Sequence, residues 1–214
     1  MSPALTAADA EAFADCIEGG GVAVFPADTV YGLACDPGNA DAVRRLYELK
    51  GRPADKPAAV MWFDRERALD ALPELAPRTR AAVEALTPGP VTLLLPNPDD
   101  RFPLAAGPAG TEAALGVRVP AFGPDQAALS GSRVAVLQSS ANAAGGADAR
   151  VVSDVPGAIR READLVLDAG PLPGTPSTVI DLQRYEQTGE WSIVREGAVA
   201  AEEVARVLGI VGRP

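Results

Sequence analysis

The chain has 214 residues, with 19 Lys and Arg against 29 Asp and Glu, a net charge of −10 and no histidine. Without histidine there is no Ser-His-Asp or Cys-His nucleophile pair and no histidine-ligated metal, and two cysteines exclude a four-cysteine zinc site. An acidic chain also lacks the basic field that coating by nucleic acid or anionic lipid requires. Met1 to Thr6 has neither the basic stretch nor the apolar run of a signal peptide, and no window approaches the ~18 apolar residues of a membrane span, so a cytoplasmic protein is expected.

The Ala-rich segment from Ala8 to Ile17, with Phe13 and Ile17 four apart, predicts a first helix. The run from Val22 to Pro26, between glycines and a proline, reads as a buried strand. Asn39 caps a predicted helix from Ala40 to Leu49, whose spacing puts Val43, Leu46, Tyr47 and Lys50 on one face. A strand over Ala58 to Phe63 follows, then helices around Arg65 to Leu72 and Pro77 to Leu86. Further strands are predicted at Val91 to Leu95, Gly116 to Pro120 and Val134 to Leu137, with Arg118 facing away from Val117 and Val119. The Pro- and Gly-rich stretch Asn97 to Gly110 reads as a mobile loop. Asp164 to Asp168, Ser177 to Leu182 and Trp191 to Arg195 complete the strands, and Glu202 to Leu208 is a closing helix. Alternating strands and helices of irregular spacing predict one α/β domain over residues 1–214, a twisted mixed sheet flanked by helices.

Of the 19 basic residues only Lys50 and Lys56 are lysines, and they flank Arg52 in Lys50-Gly51-Arg52-Pro53-Ala54-Asp55-Lys56-Pro57. Lysine is a point charge suited to phosphate and arginine a fork suited to bidentate contact. Lys50 also suits a helix C-terminus, which favours a cation, but on an apolar face an unpaired ammonium is costly, and a bound anion would relieve that cost. The run Gln138-Ser139-Ser140-Ala141-Asn142 leaves a buried strand with small neutral donors and acceptors where open α/β sheets place ligands, though an ordinary Ser/Asn turn has the same composition. Asp28 and Thr29 after Pro26, Ser177 and Thr178 after Pro176, and Arg195 at a strand end follow the same logic. No Walker or dinucleotide glycine motif is present, so any phosphates are held by side chains. Arg44, Arg45, Arg160 and Arg161 read as solvated, Trp62 and Trp191 as core, and Cys16 and Cys35 as small apolar groups.

Taken together, Pro26-Ala27-Asp28-Thr29-Val30-Tyr31-Gly32-Leu33, Lys50-Gly51-Arg52-Pro53 with Lys56-Pro57, Pro88-Gly89-Pro90-Val91-Thr92, Arg118-Val119-Pro120, Ser139-Ser140-Ala141-Asn142, Pro176-Ser177-Thr178-Val179 and Arg195-Glu196-Gly197 resemble, in order, the YrdC-like threonylcarbamoyl-AMP synthase family in its single-domain form. The resemblance implies an α/β fold around a deep, positively lined cavity. It implies a nucleotidyltransferase that makes threonylcarbamoyl-AMP and pyrophosphate from ATP, L-threonine and bicarbonate, for the N6-threonylcarbamoyl modification of tRNA. It assigns Lys50, Arg52, Ser140 and Asn142 as the central catalytic quartet, with Lys50 on the phosphate or carbamate. ATP falls to Arg52, Lys56, Ser140, Asn142 and Arg195, and threonine to Thr29, Arg118 and Ser177, with Arg118 pairing the carboxylate and Asp28 as an outer partner. Mg²⁺ is expected on the ATP phosphates rather than on the protein, and the product is expected to pass to tRNA threonylcarbamoyl-transfer proteins, with weak or transient tRNA contact.

This chain departs from the family's pattern at Ala27 (usually Thr), at Met61 and Phe122 (near usual His positions), at Gln138 and Ser139 (usually Ala and Thr) and at Ala143 and Ala144 (usually Leu and Ser). These departures keep open a related carbamoyl-adenylating enzyme with another acceptor. A structured-RNA-binding module is the further alternative, against which the net charge weighs.

Overall fold

The computed structural model describes residues 4–106 and 114–211. Among these, nine strands form one mixed sheet: β1 (Ala23–Pro26), β2 (Tyr31–Cys35), β3 (Ala59–Met61), β4 (Val91–Pro96), β5 (Ala114–Arg118), β6 (Val136–Ser140), β7 (Leu165–Val166), β8 (Thr178–Asp181) and β9 (Ser192–Arg195), in the order β7-β1-β2-β6-β3-β5-β4-β8-β9. The pairs β1·β7, β3·β5 and β4·β8 are parallel and the others antiparallel. The helices are α1 (Ala7–Glu18), α2 (Ala40–Lys50), α3 (Arg65–Ala71), α4 (Pro77–Leu86), α5 (Pro103–Ala106), α6 (Gly157–Glu162), α7 (Tyr185–Thr188) and α8 (Ala201–Val211).

The predicted strands and long helices are all present with shifted ends. One strand is new. Tyr31–Cys35 pairs antiparallel with β1, so Asp28 and Thr29 lie in the connection of a hairpin. Its five residues are buried on both faces, so no polar alternation marks it. The expected mobile loop is also corrected in its first half. The Asn97 amide donates to Arg101 O at 3.0 Å while its Oδ1 accepts from Arg101 N at 2.9 Å, a self-closed turn leading into α5; residues 107–110 of that stretch lie outside the described residues.

Side chains alternate across a strand, so the two faces of the sheet differ in kind. One face carries Val24, Leu33, Val60, Leu93, Leu115, Val117, Leu137 and Ile180 into the main apolar core, covered by residues of α2, α3, α4 and α8. The other face carries two different things. At the β1 end, Ala23, Phe25, Ala34, Met61 and Val136 pack with Phe13 and Ile17 of α1 and with Leu129. Phe13, Phe25 and Phe63 meet there with ring centroids 5.3–6.2 Å apart. At the β9 end the same face is hollow.

Candidate active site

The hollow is a cavity of about 960 Å³ lined from β3, β4, β5, β6, β8 and β9. Much of its lining follows the strand period, with Ala114, Gly116 and Arg118 of β5, Thr92 and Leu94 of β4, and Gln138 and Ser140 of β6, while Ser139 of β6 and the adjacent Val194 and Arg195 of β9 border it as well. Register places Gln138, Ala59, Gly116 and Leu94 in one row across the sheet. Ala59, Ala114 and Gly116 supply almost no side-chain volume, so the middle of the sheet stays open. Arg52, Lys56, Arg118 and Arg195 line the cavity against Asp55 and Asp148. In a chain of net charge −10, four cations against two carboxylates is a concentrated positive site.

The cations differ in how they are held. Helix α2 starts at Asn39, whose side chain accepts from Asp41 N and Ala42 N at 3.1 Å each, and ends at Gly51 in the left-handed region. That end aims Lys50 beneath the turn after β6. Lys50 Nζ donates to Ser140 O at 2.6 Å, Asn142 O at 3.0 Å and Asn142 Oδ1, and lies 3.2 Å from Ser140 Oγ. In return Ala144 N donates to Lys50 O at 2.8 Å. Sequence reasoning gave the buried ammonium an anion as partner; the structure supplies carbonyl and amide oxygens instead. Neither Lys50 nor Asn142 lines the cavity; both stand behind Ser140, which does. Burial, aided by Arg52 and Lys56 and opposed by Asp148, brings Lys50 down to about 8.

Arg52 folds back on its own loop. Its Nε donates to Lys56 O at 3.3 Å, a second donor reaches Pro57 O, and its guanidinium lies 5.7 Å from the centroid of the Tyr47 ring, whose hydroxyl donates to Lys56 O at 2.8 Å. The Lys56 ammonium is exposed and bonds no described residue. Across the cavity, Arg195 donates to Ser177 O at 2.6 Å and Ser177 Oγ at 3.1 Å, and Ser177 Oγ meets Thr92 Oγ1 at 2.8 Å. Gly197 fixes this corner: a Cβ there would lie 2.4 Å from Pro176 O and 2.5 Å from Ser177 C.

Arg118 is the buried cation of the wall. Its side chain and that of Asp28 are 4% and 2% exposed and pair at 2.7 Å. It also donates to Gln138 Oε1 at 2.9 Å and approaches Thr29 Oγ1 at 3.4 Å. Asp28 takes a further bond from Ala121 N at 3.2 Å. Burial pulls the Arg118 guanidinium below its usual range, with Asp28 opposing and Arg195 adding to the shift. Its Nε is buried without a partner.

The structure therefore brings Thr29, Arg52, Lys56, Arg118, Ser140, Ser177 and Arg195 to one cavity, with Asp28 behind Arg118 and with Lys50 and Asn142 behind Ser140. Gln138, named in the Ser/Asn run without a role of its own, lines the cavity too, and so do Thr92, Asp55 and Asp148, to which sequence reasoning gave no role. Met61 is fully buried among the aromatics and Phe122 stacks on Phe63 at 5.8 Å, so neither lines the cavity. Among the described residues no group of three acidic, His or Cys side chains is placed to hold a metal ion, and no helix is long and apolar enough to cross a membrane.

A family model for Sua5, YciO and YrdC proteins, described as telomere recombination, matches residues 15–197. A threonylcarbamoyl-AMP synthase of Thiobacillus denitrificans is 36% identical over 164 residues, 76% of this chain and 85% of the relative. One from Pyrococcus abyssi is 29% identical over 194 residues, 90% of this chain but 55% of the relative, so this chain spans little more than half of that protein. The solved structure of Pyrococcus abyssi Sua5 complexed with L-threonine aligns with a TM-score of 0.81 and 28% identity, covering 96% of this chain and 58% of that one.

Proposed function

Because the chain belongs to the Sua5/YciO/YrdC family, we propose that it is a threonylcarbamoyl-AMP synthase acting on ATP, L-threonine and bicarbonate in the cytoplasm. The observation that carries this reading is the cavity itself: four cations gathered on an acidic chain, with hydroxyls between them and no histidine anywhere. Adenylation fits such a site, because it is driven by placing the reactants and stabilising phosphate charge rather than by a histidine base.

In this reading the threonine amine attacks bicarbonate, water leaves, and N-carboxythreonine forms. A carbamate oxygen then attacks the α-phosphorus; the bond from that phosphorus to the bridging oxygen breaks, and pyrophosphate leaves with the electron pair. Arg52, Lys56 and Arg195 take the phosphates from the rim. Ser140, braced by Lys50 and Asn142, borders the reacting centre, and Thr29, Arg118 and Ser177 hold the amino acid. The two wall carboxylates, Asp55 and Asp148, suit a cation carried by the nucleotide and are too few to cage one. Mg²⁺ so carried supplies charge neutralisation on the phosphates. The labile product is taken up by proteins that transfer the threonylcarbamoyl group to tRNA.

Pyrophosphate release from ATP and Mg²⁺, measured with and without L-threonine and bicarbonate, tests the reading. Release that needs both is the expected result. Release that ignores threonine, or none, overturns threonine as the acceptor.

A further inference from the structure

Pro88-Gly89-Pro90-Val91-Thr92 is the one block of the resemblance to which no site residue is assigned, yet it sits between two blocks that hold one each. Gly89 N donates to Val119 O at 2.9 Å, next to Arg118, and Pro90 O accepts from Thr178 N at 3.1 Å, next to Ser177. The turn therefore ties the end of β5 to the start of β8 and sets the spacing of Arg118 and Ser177. Thr92 carries the block into the cavity wall. Thr92 is 8% exposed and Ser177 3%, and their hydroxyl oxygens lie 2.8 Å apart. Ser177 Oγ also accepts from Arg195 at 3.1 Å, since a guanidinium only donates. The two hydroxyls hold two protons, and one of these lies in their mutual bond. The other has no acceptor among the described residues. Both residues line the cavity, so that proton is offered to what the cavity holds.

We propose that Thr92 is a positioning residue for the amino acid: its hydroxyl donates to Ser177 Oγ and so orients the Ser177 hydroxyl. With Arg195 and Thr92 on its two lone pairs, Ser177 directs its own proton into the cavity, towards an oxygen of the amino acid. The proposal rests on the amino-acid reading of the cavity given above and goes beyond it, because Thr92 acts through Ser177 and does not itself touch the substrate.

Two substitutions separate this role from plain packing. Thr92→Val keeps the shape and loses the hydroxyl, whereas Thr92→Ser keeps the hydroxyl and loses the methyl. KM for L-threonine and for ATP is measured by pyrophosphate release, with folding followed by thermal denaturation. Thr92→Val is expected to raise KM for threonine roughly 3- to 10-fold, the worth of a neutral hydrogen bond. KM for ATP should stay unchanged, because Arg195 keeps Ser177 O at 2.6 Å. Thr92→Ser should stay near the wild type. In a Ser177→Ala background, Thr92→Val should add nothing further. If Thr92→Val does not fold, Thr92→Ala takes its place against Thr92→Ser. Thr92→Val close to the wild type, Thr92→Ser impaired as much as Thr92→Val, or an undiminished further loss in the Ser177→Ala background overturns the proposal. A wild-type protein that releases pyrophosphate without threonine overturns the functional reading instead, and that is seen before any variant is made.

Discussion

One face of the sheet is filled at the β1 end and hollow at the β9 end, and the difference lies in side-chain volume and cover. At the filled end, Phe25, Met61 and Val136 rise from the strands and α1 lies over them. At the hollow end, Ala59, Ala114 and Gly116 occupy the corresponding positions, and the walls are charged or hydroxylated. Neighbouring residues of one strand serve both ends: Met61 is sealed among phenylalanines, while Ala59, two residues earlier on the same face, borders the cavity. A binding site here is a stretch of core left unfilled. The filled end should govern stability, and the hollow end ligand affinity.

The comparison is open to test by substitution, beginning with the largest loss of stability. Phe25→Ala at the filled end is expected to cost about 3–5 kcal/mol in chemical denaturation, while the protein that remains folded binds ATP as before. Asp28→Ala at the boundary leaves Arg118 buried and unpaired. It should cost about 3 kcal/mol, the low end for a broken buried pair because the cavity admits water, and it should weaken threonine as well. Gly197→Ala drives a methyl into the Pro176–Thr178 backbone; a loss of about 1–3 kcal/mol is expected, with ATP affinity falling because Arg195 loses its seat on Ser177.

Lys56→Ala, at the rim, is expected to change stability by no more than about 0.5 kcal/mol. Its ATP affinity should nonetheless drop about 10- to 100-fold, the worth of a charge-assisted contact. Equal stability losses at both ends would break the comparison.

A last test concerns pH. Lys50 is charged below about 8 and neutral above it, so its brace on Ser140 and Asn142 is present at neutral pH and lost as pH rises through that value. ATP affinity should weaken over that window. In Lys50→Met it should be weak and flat with pH, and a retained pH step there would assign the titration to another group.

Much of this was legible in the sequence. The longer helices followed from their period, α2 also from its Asn39 cap, and the clustering of lysines around Arg52 pointed to the cavity rim. The resemblance grouped Lys50 with Ser140 and Asn142, but that they hold its ammonium was not legible, because half of the contacts are to backbone oxygens of a turn 90 residues away and residue types do not record where carbonyls point. β2 escaped because a strand buried on both faces has no alternation to read. Met61, by contrast, drew attention as a departure from the family's pattern and proves to belong to the apolar end.

The floor of the cavity has a consequence of its own. Ala59, Ala114 and Gly116 offer a ligand peptide groups and methyls, and a Cβ on Gly116 would already lie 3.2 Å from Ala59 Cα. Nothing on that floor titrates or attracts counterions. The site's sense of shape should therefore hold constant across ionic strength and acidity, while its hold on phosphate fades with added salt. The two kinds of discrimination reside in separate layers of the same wall.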